Sequence, residues 1–278
     1  MAICHYRSKS LRNTEAGGRV RPAAVAGQFY TRDPDRLARD VQNFIEAACP
    51  YDGPRAKAVI APHAGYVYSG RIAGAAFAAV RRAAATVTRA VVIGPAHYVP
   101  FRGIALSTAS AFETPLGRVP VDPAASAALA ALPFVHAHDT AHAPEHALEV
   151  ELPFLQALVR DFLFVPLVVG DAQPQEVSEV LARLWGNDET LIVISSDLSH
   201  YHDYATAQRL DAATAHTIEQ GEWDRLGPQN ACGFLPIAGL LPEAARRNLQ
   251  ARRLALANSG DSAGERARVV GYGAWAFA

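Results

Sequence analysis

Strand-length apolar runs alternating with helical stretches along 278 residues predict an α/β fold, a single domain with a mainly parallel or mixed central sheet flanked by helices. Three observations carry this. KAVIAP (57–62), RAVVIGP (89–95) and TLIVIS (190–195) are rich in Val and Ile without polar alternation, as strands buried on both faces are. The segments between them have helical length and periodicity. No Gly/Ser-rich linker divides the chain, so 19–278 reads as one unit preceded by a loose polar tail over 1–18.

In chain order, Asp33 and Pro34 predict the start of a first helix, with Asp as cap and Pro at the first helical position. AVIAP (58–62) is the first central strand. It empties into HAGYVYSG, after which RIAGAAFAAVRRA reads as a helix whose small residues permit close approach to the sheet. RAVVIGP is the second strand and delivers AHYVPFRG. IALSTAS and GRVPVD predict short strands around a turn, an antiparallel addition to the main sheet. The stretch 144–160 has helical periodicity interrupted at Pro153, which implies a kink or two abutting helices. FLFVPLVVG is a strand, Pro174 opens a helix, and TLIVIS is the third well-marked parallel strand. Helices around 203–219 and through FLPIAGLLPEAARR follow, then strands near RLALAN and ARVVGYGAWAFA.

Composition narrows the function classes. Lys plus Arg number 26 against 27 Asp plus Glu, so no electrostatic argument favours nucleic acid or an anionic membrane as partner. The apolar runs around 162–169 and 191–194 are too short to cross a bilayer, and the polar opening lacks the apolar core of a signal peptide; cytoplasm is the expected location. Cys4, Cys49 and Cys232 neither complete a disulfide framework nor have zinc-finger spacing. There is no Walker loop, no GxGxxG after the first strand, no HExxH and no GxSxG elbow. Ser195 and Ser196 near His200 raise a serine nucleophile, but without an elbow that reading is weak.

The chemistry-bearing residues follow strands. His63 and His97 share one setting, an apolar strand, a proline and then an imidazole; loops after parallel strands meet at one sheet edge, and imidazole ligates zinc, iron or copper. Asp197 and His200 stand three apart after TLIVIS, on one face if the chain turns helical at Leu198, with His200 suited to proton transfer and Asp197 to orienting it or ligating. Cys232 lies in a loop opening a helix, where backbone N–H groups favour a thiolate. Glu145, His146 and Glu149 are a further candidate group, with the glutamates at i and i+4 on one helix face. Tyr66 and Tyr68 offer phenolic hydrogen bonds beside His63. Six of the ten histidines crowd into 136–146 and 200–202, though no ligand spacing selects His136, His138 or His142.

RPAAVAGQFY, APHAGYVYSG, GPAH, EHALEVELPFLQ, SSDLSHY and ACGFLPI, in this order, resemble the Memo family, whose bacterial and archaeal members are the B proteins of the AmmeMemoRadiSam system. The resemblance spans about 20–277. It implies a fold like that of class III extradiol dioxygenases, with His63, His97 and Cys232 at the family's metal-binding positions and Asp197 and His200 at its remaining pocket positions. His200 is similar to the acid–base histidine of the dioxygenases. Cys232 stands where those enzymes place a carboxylate ligand, so ring cleavage is not simply inherited. Glu151 replaces a glutamine frequent in the family, with little consequence expected. The implied cofactor is Fe(II), then copper, which a thiolate makes more credible, with zinc as runner-up. The implied function is a metal-dependent oxidoreductase acting on a small molecule. Its alternatives are an adaptor for a peptide or partner protein, such as a radical-SAM protein or an AMMECR-type domain, and a zinc hydrolase.

Overall fold

The computed structural model describes residues 18–262 and 265–278, so the tail expected over 1–18 lies, but for Gly18, outside the described residues. The chain opens with a short strand, β1 (Val20–Arg21), and helix α1 (Pro34–Glu46). Asp33 caps α1 by accepting from the Arg36 N–H at 2.9 Å, and Leu37, Val41 and Ile45 bury one stripe of it. Strand β2 (Ala58–Ala61), helix α2 (Tyr66–Val80) and strand β3 (Arg89–Pro95) follow. The glycines of α2 admit a helix as well as the sheet: a Cβ on Gly74 would lie 2.4 Å from the Phe44 carbonyl oxygen of α1.

Next come β4 (Ile104–Leu106), β5 (Ala111–Thr114), β6 (Gly117–Pro120), α3 (Pro123–Leu129), β7 (Val135–Ala137) and α4 (Asp139–His142). Of the two pieces expected to extend the main sheet, only β4 does so, antiparallel to β8. β6 instead pairs with β5 in a separate sheet of order β1-β5-β6. The stretch broken at Pro153 resolves into one 3-10 turn at Glu149–Glu151 and helix α5 (Leu152–Leu158), with Pro153 in its first turn, where no backbone N–H is needed. The remainder is β8 (Leu163–Val169), α6 (Pro174–Leu184), β9 (Thr190–Ser195), β10 (His200–His202), α7 (Tyr204–Glu219), α8 (Phe234–Arg246), β11 (Ala251–Asn258), α9 (Ser259–Ser262) and β12 (Val269–Phe277).

The main sheet runs β10-β12-β2-β9-β3-β8-β4-β7, with β11 also on β12. β2, β9, β3 and β8 are parallel; β12 and β4 flank them antiparallel. Because successive strand residues point to opposite faces, Val59, Val92 and Val193 join a core with α1, α2 and α5, while Ile60, Ile93 and Ile194 join another with α6, α7 and α8. Both faces being covered explains the unbroken apolar runs.

Register brings the site together. Ile60, Ile194 and Ile93 are level on neighbouring strands. His63 and Asp197 lie three residues beyond that level and His97 four, all past the C-terminal ends of parallel strands.

Candidate metal centre at the sheet edge

His63, His97 and His146 each offer a ring nitrogen within 4.8 Å of the others. Their ring centroids are 5.0, 5.3 and 4.6 Å apart. His63 follows β2, His97 follows β3, and His146 arrives on the loop between α4 and the 3-10 turn. Each imidazole is anchored through Nδ1: His63 to Ser195 Oγ at 2.8 Å, His97 to Glu145 Oε1 at 2.8 Å, and His146 near Glu145 Oε1 at 3.3 Å and the Tyr98 hydroxyl at 3.2 Å. That arrangement leaves Nε2 as the nitrogen turned away from the anchor in all three, with Cys232 Sγ against that of His63, as in histidines oriented by an outer hydrogen bond.

Burial disfavours protonating His63 and His146. The His63 pKa falls well below the ordinary histidine value, helped by the neighbouring imidazoles, and that of His146 falls to about 4. For Glu145, burial works to raise the pKa, but hydrogen bonds from His97 and from the backbone N–H groups of His97 and Ala147 outweigh it and hold the carboxylate ionised. Imidazoles held through Nδ1 and gathered at one point fit a borderline metal such as zinc, iron or copper.

Cys232 Sγ lies 3.3 Å from His63 Nε2 and accepts from the Asp197 N–H at 3.2 Å. The backbone donor expected to favour a thiolate is present, yet burial dominates and pushes the thiol up to about 12. Gly233 lets the loop that carries Cys232 lie against Ser196, since a Cβ there would sit 2.6 Å from Ser196 Cβ. Asp197 is buried, accepts from the His63 N–H at 2.9 Å, and is raised by burial to about 7. His200 opens β10, its pKa lowered by burial. Residues 197–199 are not helical, so Asp197 and His200 do not share a helix face. Instead, Tyr201, at φ 63°, bulges β10 against β12.

Glu145 and Glu149 also part company. Glu145 accepts from the backbone N–H groups of His97, His146 and Ala147, and such local bonds compete with helix formation. Glu149 turns to the opposite side, pairing with buried Arg21 and accepting from Ala24 N–H, Val25 N–H and the Tyr30 hydroxyl. Tyr66 packs in the core with its hydroxyl donating to the Val150 carbonyl at 2.7 Å. His142 is buried and donates to the Ala105 carbonyl. The sequence reading overlooked Ser195 as an imidazole anchor. A polar residue ending an all-apolar buried strand was the available signal.

A Memo-like protein family profile matches residues 21–276. The chain is 31% identical over 266 residues to a MEMO1 family protein of Aquifex aeolicus, covering 91% of this chain and 97% of that one. It is 35% identical over 276 residues to one from Methanothermobacter thermautotrophicus, covering 91% and 98%. A Methanosarcina mazei relative is 33% identical over 269 residues, covering 92% and 98%. The ordered motifs, the mixed sheet and the match over nearly the whole length agree: this chain belongs to the Memo family.

Proposed function

We propose that the chain is a metal-dependent oxidoreductase acting on a small molecule. His63, His97 and Cys232 hold Fe(II), or copper, and His146 supplies a third imidazole. The observation that carries this is the convergence of one ring nitrogen from each of three imidazoles within 4.8 Å of one another. Bound there, a redox metal supplies one-electron chemistry and a Lewis-acidic centre. The protein's own part is orientation and proton handling. Glu145 and Ser195 fix the rings, Asp197 ties the His63 loop to the exit of β9, and His200, neutral at physiological pH, takes up or gives a proton.

Metal content and oxidation state of protein purified without oxygen test the reading. Near one redox metal per chain is expected, lost in His63→Ala and Cys232→Ala while the circular dichroism is unchanged. Protein that neither carries nor takes up stoichiometric metal would sink it. Zinc-restored turnover without oxygen consumption would move the reading to a zinc hydrolase.

A second reading, an adaptor for a peptide or for a partner such as a radical-SAM protein or an AMMECR-type domain, draws support from exposed aromatic residues. Tyr68, Tyr98 and Tyr201 are 40, 52 and 63% exposed; Tyr98 and Tyr201 directly follow His97 and His200, and Tyr68 lies five residues after His63. Partner binding that survives His63→Ala/His97→Ala would carry it.

A further inference from the structure

Behind His63, away from its Nε2, lies a hydroxyl with more neighbours than hydrogens. Ser195 Oγ is 2.6 Å from the Ala147 carbonyl oxygen, 2.8 Å from Glu151 Oε1 and 2.8 Å from His63 Nδ1. A serine hydroxyl has one hydrogen and two lone pairs. The Ala147 carbonyl can only accept, and two oxygens do not rest 2.6 Å apart without a hydrogen between them. The Ser195 hydrogen is therefore spent on Ala147. Its lone pairs remain, and each faces a group that must then be a donor: His63 through Nδ1–H, and Glu151 through a carboxyl O–H.

We propose that Glu151 is held as a neutral carboxylic acid and serves as a positioning residue: by donating to Ser195 it fills the second lone pair and holds the hydroxyl turned to Ala147. His63 is thereby confined to the Nδ1–H tautomer, its Nε2 carrying no hydrogen and facing Cys232 Sγ. The inference deepens the metal-centre reading and rests on it only for the use made of Nε2.

Two observations agree. Glu151 is fully buried, and its Oε2 has no hydrogen-bond partner among the described residues. That is tolerable for the carbonyl oxygen of an acid and costly for a carboxylate. Burial also raises its pKa well above the ordinary glutamate value, and the neighbouring Asp197 pushes the same way. With Glu151 ionised, the Ser195 hydrogen would be drawn to it and the Ala147 contact would lose its hydrogen. With Glu151 apolar, no donor fills the second lone pair, and the hydroxyl could give up the Ala147 contact, which would lengthen, to donate to Nδ1, admitting the tautomer that blocks Nε2.

The test uses metal-free full-length protein. Infrared spectra taken at about pH 9, some two units above the Asp197 value of about 7, should show the carbonyl stretch of a protonated carboxylic acid, absent from Glu151→Gln. Nitrogen-15 spectra of labelled histidine should give His63 as Nδ1–H in the wild type and in Glu151→Gln, whose amide also donates, and as a tautomer mixture in Glu151→Leu. Metal affinity should be retained in the Gln variant and fall about tenfold in the Leu variant, as for loss of an outer hydrogen-bond partner. No acid band in the wild type, a wild-type His63 protonated at Nε2, or a single Nδ1–H tautomer in Glu151→Leu would overturn the proposal. The band and the tautomer support it even in protein that takes up no metal, an outcome that would count against the metal centre alone.

Discussion

At Glu145 two oxygens receive donors from both sides: Oε2 from the His97 N–H at 2.7 Å, Oε1 from His97 Nδ1–H at 2.8 Å and from the His146 and Ala147 N–H groups at 2.9 Å. One carboxylate thus sets both a ring orientation and the loop that carries a second ring. An amide cannot replace it, because either orientation of its NH2 meets an N–H donor. Glu145→Gln is expected to fold and to lose about 10- to 100-fold in metal affinity, read by competition titration against a chelating dye. Wild-type affinity in this variant would show that the imidazoles organise themselves. The residues at this scale were unevenly legible. His63 and His97 announce themselves by a repeated strand–proline–imidazole setting, whereas His146 does not, because its place depends on a loop held by long-range bonds from Arg21 and by Glu145's own backbone contacts.

Between elements, α7 meets β12 through Asp211, which accepts from the Ser199 N–H at 3.0 Å and lies against Gly271, where a Cβ would come within 2.0 Å of Oδ2. The contact fixes the residue before His200, and its electrostatic cost is legible in pH. Burial raises Asp211 to about 6. Between about pH 4 and 6 the folded protein retains a proton that the unfolded chain has already released, so this group's contribution to stability falls as pH rises through that window and is flat above it. Asp211→Asn keeps the Oδ1 acceptor and removes the titration. Its stability relative to wild type should therefore grow by up to about 3 kcal/mol from pH 4 to pH 7, measured by urea unfolding. An unchanged difference across that range would contradict the buried-acid reading. Helix and strand existence was readable because caps and apolar runs are local, with α1, β3, β9 and α6 starting where Asp33, Arg89, Thr190 and Pro174 predict. The separate β1-β5-β6 sheet and the β10 bulge were not readable, since both depend on partners distant in sequence.

Across the molecule, Arg21 of the small sheet is a buried tie between that sheet and the loop that carries His146: it pairs with Glu149 and donates to the carbonyls of Glu145 and His142. Removing one member of a buried pair strands the other, so Arg21→Met should cost about 3–5 kcal/mol in denaturant unfolding and weaken metal binding along with it. Full stability in this variant would mean that Glu149 is satisfied by the Ala24 and Val25 N–H groups and the Tyr30 hydroxyl without its cation. A different consequence follows from where β12 sits. Among the described strands it is the last in chain order, yet it lies between β2 and β11, pairing Trp275–Phe277 with Ala58–Ile60. On the ribosome, β2 therefore waits more than two hundred residues for this partner, one edge still open after β9, its other neighbour, has been made. An unpaired apolar edge is a template for pairing with other chains. A nascent chain that has not reached residue 269 thus carries β2 with that edge exposed, and a ribosome stalled there holds a sheet that cannot close.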